Sequence, residues 1–95
     1  MQKITIRLNS SKSDAEIWKW LKENLQRNLE KKVPLEMIKP FFDDEKRKVD
    51  LKGRTVSGSA QINNGAIEII LEIPLLYRFF APHIKSAVKK IFDQI

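Results

Sequence analysis

Residues 54–74, RTVSGSAQINNGAIEIILEIP, decide the fold. Val56, Gly58, Ala60 and Ile62 alternate with Thr55, Ser57, Ser59 and Gln61, and after Asn63-Asn64-Gly65 the pattern resumes with Ile67, Ile69, Leu71 and Ile73. A two-residue period places alternate side chains on opposite faces of a strand. Asn-Gly supplies the positive φ that tight hairpin turns require, so this stretch predicts a β-hairpin whose second strand ends at Pro74.

Working toward the N-terminus, residues 46–52 alternate again, with Val49 and Leu51 inward, and Gly53 turns the chain into the hairpin. Asp43-Asp44 marks another turn. Leu35, Met37 and Phe41 would share a strand face, but Pro40 removes a ladder donor, so residues 35–42 form either an edge strand or an extended loop. Between residues 14 and about 32, Ile17, Trp18, Leu21, Leu25 and Leu29 recur at steps of three and four, the stripe of an amphipathic helix. Ser13 and Glu16 form a capping box at its start, and Pro34 closes it. Trp18 and Trp20 lie two apart and cannot share a helix face, which assigns one to the core and the other to its edge. Residues 2–8 set Ile4, Ile6 and Leu8 opposite Lys3, Thr5 and Arg7, a first strand.

On the C-terminal side, Leu76, Phe79, Phe80, Ile84, Ala87, Val88, Ile91, Phe92 and Ile95 keep helical spacing, with Lys85, Lys89 and Lys90 turned away. Pro82 implies a kink, or a short helical turn followed by a new helix with the proline in its first turn. The whole reads as an α+β fold: an antiparallel sheet of four to five strands in the order β-α-β(2–4)-α, covered on one face by two helices.

The chain has 95 residues and no cysteine, which fits a single domain held by apolar burial without disulfides, thiolate metal sites or a cysteine nucleophile. No unbroken apolar h-region or membrane-length apolar run is present, so a cytoplasmic protein is expected. Catalytic motifs are missing as well. His83, the one histidine, belongs to no recognisable catalytic motif, and Asp43-Asp44-Glu45 lacks calcium-loop spacing. Gly53, Gly58 and Gly65 form no phosphate-binding turn. A non-enzymatic domain without metal or cofactor is the expectation.

The net charge of +6 is unevenly spread. Residues 1–32 hold eight basic and four acidic side chains, residues 75–95 four and one, and residues 55–74 only Glu68 and Glu72. By this division the excess belongs mainly to the segments that carry the two helices. Ordinary solubility accounts for such a layer; contact with an anionic surface or acidic partner is the sharper reading. Nucleic acid is disfavoured, because the outward positions Lys3, Thr5, Arg7, Thr55, Ser57, Ser59 and Gln61 offer no aromatic for base stacking.

Core packing is the common use of an apolar run such as Leu75-Leu76-Tyr77-Arg78-Phe79-Phe80, and an interfacial surface is the alternative. Across from it, Gly58 and Ala60 leave room for close helix approach or for a cavity. The candidate apolar surface or pocket thus comprises Trp18, Gly58, Ala60, Leu76, Phe79, Phe80 and Ile84, with Arg78, Lys85, Lys89 and Lys90 for anionic contact.

The segment Gly53-Arg54-Thr55-Val56-Ser57-Gly58-Ser59-Ala60, the strand Ile67-Glu68-Ile69-Ile70-Leu71-Glu72-Ile73-Pro74-Leu75-Leu76, and the following Phe80 and Ile84 resemble the polyhydroxyalkanoic acid system protein family. The likeness is specific over residues 53–84, and the preceding strand and charged helix match in order. Pro40-Phe41-Phe42 stands where the family tends to carry a tryptophan-containing strand, and Ile73-Pro74 where Leu-Pro is usual. The resemblance implies association with polyester granules or their proteins, and supplies no catalytic residues. Two other uses stay open: a module binding an apolar small molecule between sheet and C-terminal helix, and a homodimeric or partner-binding adaptor using a strand edge or the aromatic helix.

Overall fold

The computed structural model describes residues 2–95. Its order is β1 (Gln2–Asn9), α1 (Asp14–Lys32), a 3-10 turn (Pro34–Glu36), β2 (Lys39–Asp43), β3 (Lys48–Lys52), β4 (Ser57–Asn63), β5 (Ala66–Ile73), a second 3-10 segment (Leu75–Phe80) and α2 (Ala81–Phe92). The five strands form one antiparallel sheet, β1-β5-β4-β3-β2. Both helices lie against it and against each other, α1 over β2 and β4 and α2 over β1. This is the α+β architecture expected.

Local chemistry explains each boundary. Ser13 Oγ accepts from the Glu16 amide at 3.3 Å and donates to the Glu16 carboxylate at 3.1 Å, which starts α1. Asp14 and Glu16 in the first turn and Lys31 and Lys32 in the last complement the helix dipole. Asn64 (φ 51°) and Gly65 (φ 78°) form the two-residue hairpin turn between β4 and β5. Asp14 also holds that turn from a distance: its carboxylate accepts from the Asn64 amide at 3.0 Å and the Gly65 amide at 2.6 Å.

Register sorts the sheet into two faces. Inward, Ile6, Ile69, Ala60 and Val49 line up across the strands, and Ile17, Leu21, Leu25 and Leu29 of α1 with Ile84, Val88, Ile91 and Phe92 of α2 cover them. Outward, Arg7 meets Glu68 at 3.0 Å and Lys3 lies 3.9 Å from Glu72. Among the described residues no buried side-chain polar atom lacks a partner, so burial of apolar area incurs no orphaned-group penalty.

The ambiguous segment resolves into three parts. Leu35 sits in the first 3-10 turn, Met37 follows in a left-handed conformation (φ 51°), and only Phe41 belongs to a strand. They do not share a strand face. The inward set is Ile38, Pro40 and Phe42: Ile38 is buried, and Phe42 packs edge-on against Trp18 with ring centroids 5.4 Å apart. Pro40 lies on an edge strand, where a missing ladder donor costs least. Trp18 is buried and Trp20 half-buried at the margin, as the helix spacing requires.

Candidate functional site

The C-terminal apolar run divides at residue 81. Leu75–Phe80 winds as a 3-10 helix, with the Tyr77 amide bonded to the Pro74 carbonyl at 2.9 Å, and α2 begins at Ala81 with Pro82 in its first turn. There the proline's missing amide leaves no helical bond unmade. The period falls from 3.6 to 3.0 residues per turn across this boundary, so the apolar stripe of α2 does not continue backward. Ala81, Ile84, Ala87, Val88, Ile91 and Phe92 are buried, whereas Leu76 is 90% exposed and Phe79 81%.

Of the two uses open to this run, core packing and an exposed surface, core packing does not hold: Leu76, Phe79 and Phe80 all stand in solvent, together with Leu75 and Tyr77. In a 3-10 helix side chains three apart eclipse, so Leu76 and Phe79 fall on one row and Tyr77 and Phe80 on another. Arg78 lies between these rows in sequence, its guanidinium carbon 5.0 Å from the Phe79 ring centroid. Lys85, Lys89 and Lys90 occupy the exposed face of α2 that follows, and His83 is exposed beside Pro82.

The remaining candidates belong elsewhere. Trp18, Ala60 and Ile84 are core residues, Ala60 on β4 beneath α1 and Ile84 on the buried face of α2. Gly58 serves close strand packing: a Cβ there would collide with the Ile70 carbonyl oxygen and come within 3.1 Å of Leu71 Cδ2. The predicted set thus separates into an exposed group, Leu76, Phe79 and Phe80 with Arg78, and a buried group that supports the sheet.

Two carboxylates bind across the fold. Trp18 Nε1 donates to Asp44 Oδ1 at 2.7 Å and Lys22 Nζ to the same oxygen at 2.9 Å. The hydrogen bond from Lys22, then that from Trp18, hold the Asp44 carboxyl below its ordinary range. Glu36 accepts from the Thr55 hydroxyl at 2.7 Å and from the Thr55 and Val56 amides at 3.0 Å each. Burial pushes Glu36 upward, but the Thr55 and Val56 donors and the Arg54 charge outweigh it and leave the carboxyl lowered. Both groups are spent on structure.

The outer sheet face is not free of aromatics, as the strand alternation implied. Phe41 stands there on the edge strand, half in solvent, with Lys52 Nζ 5.6 Å from its ring centroid. Among the described residues no three His, Cys, Asp or Glu side chains gather as metal ligands, and no helix is long and apolar enough to cross a membrane. Comparisons with family models, curated proteins and solved structures return no match.

Proposed function

We propose that this chain is a non-enzymatic domain that docks on a surface with an apolar interior and an anionic coat, of the kind a polyester granule presents. One observation carries the reading: Leu75–Phe80 holds five large apolar side chains in solvent on a short helical segment, next to a helix whose exposed face is basic. Isolated exposed apolar residues are ordinary, but a contiguous apolar ridge marks a contact surface. Insertion of Leu76 and Phe79 gains apolar burial, while Arg78, Lys85, Lys89 and Lys90 remain at the charged layer. The resemblance over residues 53–84 points to the same kind of surface.

Fluorescence microscopy of the tagged protein in a polymer-accumulating host tests the proposal. Rings of signal around granules are expected, with Leu76→Asp/Phe79→Asp releasing the protein to the cytosol. An even distribution of the unmodified protein would overturn it.

A further inference from the structure

Strand register places a second exposed apolar element at the same end of the molecule. Ile73 at the end of β5 faces Gln2, Glu72 faces Ser57, Ser57 faces Lys52, and Lys52 faces Lys39 at the start of β2. The 3-10 segment Leu75–Phe80 follows β5, and the 3-10 turn Pro34–Glu36 with Met37 leads into β2. Both therefore leave the sheet at one end, from strands three spacings apart, roughly 15 Å. In the earlier turn Leu35 is 85% exposed and Met37 63%.

That turn is fastened in place. Between its two exposed apolar residues, the Glu36 carboxylate holds Thr55 and Val56, and the Glu36 carbonyl accepts from the Arg54 amide at 2.8 Å. Met37 is held at positive φ, a conformation that L-residues adopt at a cost and glycine adopts freely. A long apolar side chain kept in solvent at such a position is not explained by folding.

Charge selects the occupant. Lys31, Lys32, Lys39, Lys52 and Arg54 belong to the segments at this end, against Glu30 and the ionised Glu36, which Arg54 faces; Glu72 is paired with Lys3. An exposed apolar pair among cations that outnumber the carboxylates complements an anionic lipid headgroup layer over an acyl interior.

We infer that Leu35 and Met37 form a second insertion point for an anionic lipid-coated surface. Resting on the docking role assigned to Leu75–Phe80, this deepens it by fixing orientation. The sheet stands on the surface by the end where β1 begins, supported at two points.

Co-sedimentation of the full chain with vesicles of phosphatidylcholine, with and without phosphatidylglycerol, tests this. The unmodified protein binds the phosphatidylglycerol vesicles, and both Leu35→Ser/Met37→Ser and Leu76→Ser/Phe79→Ser weaken that binding by about tenfold or more. Met37→Gly weakens it as well without lowering the thermal midpoint, because glycine accepts the backbone conformation. If the Leu76/Phe79 variant loses binding while the Leu35/Met37 variant keeps it, the second insertion point is wrong and the docking role stands. If the unmodified protein binds neither vesicle, the docking role for lipid-coated surfaces fails with it. Equal binding to both vesicles would overturn the assignment of the cations, and a dimer lost on Leu35/Met37 substitution would replace lipid by a second copy.

Discussion

Trp18 and Asp44 join helix α1 to the β2–β3 turn through a 2.7 Å indole-to-carboxylate hydrogen bond. The same indole packs edge-on against Phe42, so a single side chain ties α1 to the edge strand by both its polar and its apolar parts. Trp18→Phe keeps the ring contact and removes the donor. It is expected to lower the urea midpoint, and Asp44→Asn in that background should add less than it does alone. A double-mutant cycle by denaturant titration measures the coupling.

Gly58 tolerates no side chain. Alanine there drives its methyl into the Ile70 carbonyl and against Leu71, and overpacking of this kind costs about 1–3 kcal/mol. Gly58→Ala should lower stability in urea titration by that amount. An unchanged midpoint would mean that β4 and β5 separate locally at no cost.

The acid limb of stability should depend on Glu36. Its folded carboxyl is held below the ordinary 4.5, so the unfolded chain binds the proton more tightly. The sign follows: this contribution is present above about pH 4.5, declines as pH falls through the folded value, and is absent below it. Glu36→Gln should lower the midpoint at neutral pH and flatten its change across that acid window. Thermal melts from neutral pH to acid report both effects.

Leu76→Asp and Phe79→Asp should leave stability within about 0.5 kcal/mol of the unmodified chain, since neither side chain is buried on folding. By contrast Leu25→Ala, at a fully buried position of α1, should cost about 2–5 kcal/mol. Parallel urea titrations separate surface from core in one experiment.

The parts of the fold legible in the sequence are those determined locally. Asn64-Gly65 writes its own turn, Ser13 and Pro34 bracket α1, and period-two alternation marks β1, β3, β4 and β5. The start of β2 was also present as the alternation of Ile38, Pro40 and Phe42, hidden by the more conspicuous Leu35, Met37 and Phe41. What the residues do not disclose are partnerships across distance: Asp14 with the Asn64-Gly65 amides, Asp44 with Trp18, Glu36 with Thr55. A carboxylate's sequence neighbours carry no trace of such a partner. For the candidate site, the composition of Leu75–Phe80 was visible, but its exposure was not. Apolar residues at helical spacing imply burial, but Leu75–Phe80 forms a separate 3-10 segment with no buried side chain.

The pairing of β1 with β5 has a consequence for how the molecule comes into being. Gln2 aligns with Ile73 and Asn9 with Ala66, so β1 is translated long before its partner exists. Until residues 66–73 have been made, Ile4, Ile6 and Leu8 have no sheet to enter, and β1 emerges as an unpaired apolar strand. Closing so long a loop slows folding relative to the local β4–β5 hairpin. Exposure of unpaired apolar strand to aggregation therefore falls in the interval between the synthesis of β1 and the arrival of β5.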